Sequence, residues 1–370
     1  MTEDQSRALE LTKGSEPTPS NIERVSLDVG GETARWAFTQ WELRKRAKTK
    51  FARADEMLFD RDGLEMATHE TVAAFHASRF KTGERVADLT CGIGGDLIAL
   101  ARRGPVVGYE TNPMRAAYAR HNLQVHGLEG EVREESGYHP ASWDCDSAFL
   151  DPQRRKAKHD LGEPDPRAMR GMHHKCRLIG VKLGTAMDVE DAAVSVFPRV
   201  EAVSFGGECR ELLSWMGEGA DAGVFAVHVE SGQVLPQSRT APFAESPGAY
   251  LFHADPAAIK AHCLGALCAQ YGLSALGDSD GYLTGDENVD SPWLRCYRVL
   301  YHGRADRKAT QAELTRLDGT LTEVKTRGTR EPADAIRSQF KAVGDRKLTL
   351  AVWPVGKSLR HTLVEPVLPP

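Results

Sequence analysis

The chain has 370 residues, 41% hydrophobic and 27% charged, with a net charge of −5. That balance excludes a disordered low-complexity polymer, and the length exceeds what a single hydrophobic core comfortably serves, so two or three compact units are expected. Seven cysteines without C-x-x-C spacing point to neither a disulfide framework nor a zinc ribbon, and no run approaches the roughly 18 to 20 apolar residues of a membrane span, so a cytoplasmic protein with reduced thiols is expected.

Residues 1–30 carry Ser, Pro, Thr and Glu without periodicity and are expected to form a disordered tail. Residues 31–80 read as an N-terminal helical segment. From Trp36 the apolar positions Trp36, Leu43 and Ala47 fall near helical spacing, with Arg44, Lys45, Arg46, Lys48 and Lys50 between them, which predicts a basic amphipathic helix. A second helix is predicted over 68–80, with Thr68 as N-cap and Glu70 in its first turn. Over 81–255 short apolar runs alternate with helical lengths, the signature of βαβ units and hence of a parallel sheet covered on both faces. Residues 256–293 read as a connecting segment, a helix followed by a Gly/Asp-rich loop. Residues 294–370 alternate strand patterns around a helical stretch, as in a smaller α+β domain. The fold class expected is α/β: a doubly wound, Rossmann-type sheet between a helical segment and an α+β domain.

In open α/β sheets ligands bind outside the carboxyl ends of the strands, where the strand order reverses. The turn after the first predicted strand is Asp88-Leu-Thr-Cys-Gly-Ile-Gly-Gly-Asp96. Gly92 and Gly94 let the backbone bend and approach a ligand, and the following helix offers unpaired N–H groups. A dinucleotide fingerprint would need a third glycine where Leu97 stands, and a Walker A loop would need Gly-Lys-Ser/Thr. Asp96 beside the loop would repel a pyrophosphate and attract an ammonium or sulfonium. Glu110 ends the second strand, about 20 residues past Asp88, the spacing at which an acid reaches ribose hydroxyls. A tight turn between solvated acids is the bland alternative; loop, second acid and βαβ setting together favour a cationic adenosyl ligand.

The fourth predicted strand ends in Asp151-Pro-Gln-Arg-Arg155. A carboxylate in a proline-stiffened turn can orient an acceptor atom, and Arg154 and Arg155 are forked donors suited to phosphate or a base edge; otherwise the stretch is a charged surface loop. Lys182 ends the next strand and either reaches the site or snorkels. The basic run Arg44 to Arg53 is either a solvated helix face or a set of phosphate contacts. His121, His173 and His174 lack metal-ligand spacing, so no metal is expected.

These residues resemble class I S-adenosylmethionine-dependent methyltransferases. Asp88-Leu-Thr-Cys-Gly-Ile-Gly is similar to their first motif, and Asp151-Pro-Gln-Arg to the D/N-P-P-x motif of their nucleic-acid-directed members, with Gln153 where a second proline usually lies. Ala119-Arg-His-Asn122 resembles the Ala-x-x-Asn of RNA-directed members. More closely, the chain resembles a bacterial family of such enzymes ending in a THUMP-like domain, through Lys48-Thr-Lys-Phe51, Leu64-Glu-Met-Ala-Thr68, Val181-Lys-Leu-Gly184 with Asp188, and Glu208-Cys-Arg-Glu-Leu212. The resemblance implies S-adenosylmethionine as cofactor, with Asp88, Thr90, Gly92, Gly94 and Asp96 at its methionine end, Glu110 at the ribose and Glu135 at the adenine. It implies RNA as substrate, with Asp151, Pro152 and Arg154 catalytic, Arg155 and Lys182 binding substrate, and Lys325, Arg327, Arg330 and Arg337 helping to capture the polynucleotide. Methyl transfer to a small molecule or protein, and RNA binding around a vestigial pocket, use the same loop and stay open.

Overall fold

The computed structural model describes residues 1–138, 144–152, 166–172, 174–277 and 281–367. They form two compact units: Met1–Gly184 with Ser195–Pro198 and Ser214–Asp221, and Thr185–Val194 with Arg199–Leu213 and Ala222–Pro370. Among the described residues no helix is long and apolar enough to cross a membrane.

The first unit opens with α1 (Glu3–Thr12), α2 (Pro19–Val29), α3 (Gly31–Ala47), α4 (Arg61–Met66) and α5 (Glu70–Ser78). The expected tail over 1–30 is therefore replaced by two helices. Thr2 and Gln5 form a capping box on α1, and Thr18 caps α2 with Pro19 behind it. The few apolar residues there suffice because they are pooled: Ala8, Leu9, Val25 and Val29 bury against Ala34 and Ala37 of α3. The basic run on and after α3 is only partly a solvated face. Arg44 is buried, donating from Nε to the Met57 carbonyl at 2.9 Å and lying over Trp41. Lys50 donates to the carbonyls of Leu64, Glu65 and Ala67 at 2.9, 2.8 and 2.7 Å, closing the end of α4. Lys45 and Arg46 are exposed. Helix α5 is capped by His69, whose side chain accepts from the Thr71 N–H, rather than by Thr68.

The sheet of this unit contains β1 (Val86–Asp88), β2 (Val106–Tyr109), β3 (Glu131–Arg133), β4 (Ser147–Leu150) and β5 (Leu178–Leu183), with α6 (Gly95–Ala101) and α7 (Pro113–Val125) as crossovers. Its strands are parallel in the order β3-β2-β1-β4-β5, so the order reverses between β1 and β4. Aromatic rings pack against the sheet: Phe80, Phe149 and Trp215 lie 5.9 to 6.5 Å apart by centroid. A Cβ on Gly180 of β5 would overlap the Trp215 ring, so the strand must carry glycine there. Asn122 of α7 is wholly buried and bridges two segments. Its Oδ1 accepts the Leu58 N–H at 2.8 Å, and its Nδ2 donates to the carbonyls of Leu58 and Ile93 at 3.0 and 2.9 Å. The Ala-x-x-Asn stretch thus ties the N-terminal helical segment to the glycine turn.

The second unit begins at Thr185, well before the boundary expected near residue 255. It holds most of α8 (Val189–Ser195), then β6 (Arg199–Phe205), the Glu208–Leu213 part of β7 (Glu208–Gly217), β8 (Gly223–His228) and β9 (Val234–Pro236). Strands β6 and β8 pair in parallel, and β9 joins β8 antiparallel. The chain continues through β10 (Phe243–Ala244), β11 (Tyr250–Ala254), α9 (Pro256–Lys260), α10 (Leu264–Tyr271), β12 (Ser274–Leu276) and β13 (Tyr282–Gly285). Residue 255 is no boundary because it is bonded on both sides: Asp255 caps α9 through the Ala257 N–H and accepts from Ser204 of β6, both at 2.7 Å. The expected connecting segment is likewise part of a sheet, β13 lying between β11 and β12 with Tyr282 and Leu283 fully buried. With β14 (Leu294–Arg304), α11 (Arg307–Arg316), β15 (Gly319–Thr326), α12 (Ala333–Arg337), β16 (Arg346–Val355) and β17 (Ser358–Pro366), the order is β10-β12-β13-β11-β14-β17-β16-β15.

Replacing Asn122 with Ala deletes three hydrogen bonds and strands buried backbone groups at Leu58 and Ile93. The expected outcome is a loss of roughly 2–3 kcal/mol of unfolding free energy, read as a lower denaturant midpoint with an unchanged slope.

Candidate active site

Strand β1 ends at Asp88, paired with Gly108 of β2 and Phe149 of β4. The turn then straddles both neighbours: the Leu89 N–H donates to the Phe149 carbonyl and the Cys91 N–H to the Tyr109 carbonyl, each at 2.9 Å. Gly92 and Gly94 adopt φ of +53° and +95°, in the left-handed region that favours glycine. A Cβ on Gly92 would meet nothing within 4 Å, so this side of the turn is open.

Asp88 is buried, and its two oxygens differ. Oδ1 accepts the Thr90 N–H at 3.2 Å, while Oδ2 is buried with no partner among the described residues. Burial pushes the Asp88 carboxyl well above its usual range, the charges of Asp96, Asp151 and Glu110 push the same way, and only the Thr90 N–H opposes them. A buried acceptor of this kind, beside a bare turn, fits a ligand that brings an ammonium group.

Asp96, expected to face that ligand directly, has both oxygens engaged elsewhere. Thr68 donates to Oδ2 at 2.7 Å, and Nδ1 of His76 lies 2.7 Å from Oδ1. Burial raises its carboxyl, but His76, Lys182 and Thr68 outweigh burial and hold it below the usual range. Lys182, expected either to reach the site or to snorkel, reaches it: Nζ donates to Thr68 Oγ1 at 3.0 Å and to Asp151 Oδ2 at 2.8 Å. The Asp151 N–H in turn donates to Thr90 Oγ1 at 2.9 Å, and Pro152 is buried behind it. The structure thus brings together Asp88, Thr90, Gly92, Gly94, Asp96, Asp151 and Lys182.

Glu110 lies at the end of β2, half-buried, with Oε1 accepting the Asn112 N–H at 2.7 Å. Glu135 is exposed past β3, 4.0 Å from Arg133. Arg154 and Arg155, and likewise His173, lie outside the described residues. Sequence reasoning missed two members of the site. Thr68 was assigned to a helix cap, and the wholly buried His76 sits inside an apolar helix face where nothing but its polarity marks it.

No family model matches the chain. A Mycobacterium tuberculosis protein named an uncharacterized S-adenosylmethionine-dependent methyltransferase is 29% identical over 351 residues, 90% of this chain and 96% of its own length. A 23S rRNA (uracil(1939)-C(5))-methyltransferase of Nitrosospira multiformis is 41% identical over 86 residues, 21% of this chain and 20% of its own. The crystal structure of a candidate methyltransferase from Porphyromonas gingivalis W83 superposes over 100% of both chains with a TM-score of 0.83 at 21% identity, which establishes the fold. The chain is a class I S-adenosylmethionine-dependent methyltransferase. In this methyltransferase the strand order reverses between β1 and β4, the place where open α/β sheets form a ligand crevice.

The raised Asp88 carboxyl sets a pH test. Because its folded titration lies above the unfolded one, the wild-type protein loses stability as pH climbs from the ordinary carboxylate range through the folded titration, and keeps that loss at higher pH. Asp88→Asn is therefore expected to melt roughly 2–4 °C higher than wild type at pH 8 and to match it near pH 3. With Asp88 as the proposed acceptor of the cofactor's ammonium, the same variant is expected to bind S-adenosylmethionine about 10- to 100-fold more weakly by calorimetry.

Proposed function

We propose that this methyltransferase acts on a nucleophilic base atom of RNA in the cytoplasm, by direct displacement at the methyl carbon. In this reading Asp88, Thr90, Gly92 and Gly94 hold the methionine end of the cofactor, Asp96 shapes the pocket from behind, Glu110 takes the ribose and Glu135 the adenine end. The cofactor supplies the electrophilic methyl group, and the protein's task is to bring an acceptor atom in line with it and exclude water. Asp151 and Pro152 position that acceptor, with Arg154, Arg155 and Lys182 around it.

The observation that carries the proposal is the restraint on Asp151. Its backbone is held by Thr90, a residue of the cofactor turn, and its carboxylate by Lys182, so acceptor and donor sites share one rigid strand end. RNA as acceptor is favoured by the likeness of the Asp151-Pro152 turn to those of nucleic-acid enzymes and by the matching stretch in the rRNA methyltransferase of Nitrosospira multiformis. Residues 294–370 are proposed as a THUMP-like capture module. There Lys325 pairs with Glu323 at 2.6 Å and Arg327 meets His253 at 2.7 Å, while Arg330 and Arg337 are exposed.

The test is transfer of labelled methyl from S-adenosylmethionine to total RNA from a strain lacking the protein, followed by nucleoside analysis. One methylated nucleoside is expected to carry the label; label confined to protein or small molecules overturns the RNA assignment. Asp151→Ala is expected to lower kcat about 10²- to 10⁴-fold while cofactor affinity stays within about threefold. RNA affinity is expected to fall at least about tenfold between 50 and 200 mM salt, read by filter binding.

A further inference from the structure

Five polar side chains form one buried line through the first unit: His76, Asp96, Thr68, Lys182 and Asp151. Successive contacts are 2.7, 2.7, 3.0 and 2.8 Å. Three elements and two connecting segments contribute, since His76 lies on α5, Asp96 on α6, Lys182 on β5, Thr68 between α4 and α5, and Asp151 just past β4. Four of the five are at most 8% exposed, so water does little to screen them.

The polarity of the line is set by Thr68. Its one hydroxyl proton goes to the Asp96 carboxylate, which leaves its lone pairs facing Lys182 and makes Lys182 the donor in their contact. The Lys182 ammonium is thus held by a neutral oxygen on one side and directs a second N–H at Asp151 on the other. Asp96 accepts that proton most strongly as an anion, and His76 at its far oxygen, itself packed on the Phe149 ring at 5.0 Å, favours that form. We propose that Thr68, Asp96 and His76 are positioning residues: through Lys182 they fix both the direction and the charge of the strand-end carboxylate of Asp151. The inference rests on the acceptor role proposed for Asp151. As the acceptor–carbon bond forms and the carbon–sulfur bond breaks, the sulfonium becomes a neutral thioether and the acceptor's proton passes to the Asp151 carboxylate and then to water. A carboxylate poised this way is ready to take it without first reorienting.

Among the described residues, the charged groups placed around Asp151 include Lys182 from β5, Asp88 from β1, Asp96 and His76 behind Thr68, and Glu110 from the end of β2, whose charge is felt at Asp88. Among the cations of the described residues named here, Lys182 and His76 favour the anion. Removing the line's grip on Lys182 should therefore move the Asp151 titration upward.

The test needs no acceptor. Protein labelled with ¹³C at the aspartate carboxyls is titrated by NMR, the Asp151 signal being assigned by its loss in Asp151→Asn. Thr68→Val, close to isosteric, is expected to raise the Asp151 midpoint by about half a unit or more, Lys182→Met to raise it further, and Thr68→Ser to restore it. Calorimetry with S-adenosylhomocysteine, expected to be unchanged within about threefold in Thr68→Val, shows that the pocket has folded. An unmoved midpoint in Thr68→Val, or a shift that Thr68→Ser fails to restore, overturns the proposal. In the methyl-transfer assay Thr68→Val is expected to lower kcat about tenfold with the cofactor KM unchanged. If Asp151→Ala left transfer intact while the titrations behaved as expected, the acceptor role of Asp151 would fail and the positioning line would stand.

Discussion

Burying Asp88 at the end of β1 costs free energy, because its charged form gives up water and gains three like-charged neighbours, Asp96, Asp151 and Glu110. The surrounding structure divides that burden unequally. Asp96 is compensated by His76, Thr68 and Lys182, and Asp151 is paired with Lys182, whereas Asp88 keeps one oxygen without a partner among the described residues. Two acids eight residues apart in sequence are consequently held in opposite protonation tendencies, one raised and one lowered. In the proposed reading, the end of the crevice assigned to the cofactor is left needing a cation, and the end assigned to the acceptor already has one.

Much of this was legible in the sequence because it lives in local pattern. Glycines with positive φ, an acid at each strand end and alternating apolar runs name the doubly wound sheet and place Asp88, Gly92, Gly94, Glu110 and Asp151 around one crevice. What was not legible depends on partners far apart in the chain. The hydrogen bond from Lys182 to Thr68 joins residues 114 apart, and nothing local separates a reaching lysine from a snorkelling one. At Asp96, charge alone suggests a cationic ligand, while the fold supplies His76 and Thr68 as the partners of its two oxygens.

The domain reading erred for a related reason. A low density of apolar residues over 1–30 looks like disorder when each segment is judged alone, yet α1, α2 and α3 reach a core by contributing two residues apiece. Near residue 255 the change in sequence texture is real, but Ser204 and Asp255 hydrogen-bond across it, so structure continues where composition shifts. Texture reports local propensity; boundaries are set by long-range bonding.

Lys50 shows how a charge run can carry two meanings at once. By collecting the carbonyls of Leu64, Glu65 and Ala67 it anchors the chain immediately before Thr68, and its own carbonyl accepts the Glu70 N–H just after it. Wholesale neutralisation of the Arg44 to Arg53 stretch would thus disturb the segment that carries Thr68 while removing what looks like surface charge alone. Lys45 and Arg46, which are solvent-facing on α3, are the positions where a polyanion contact can be separated from architecture.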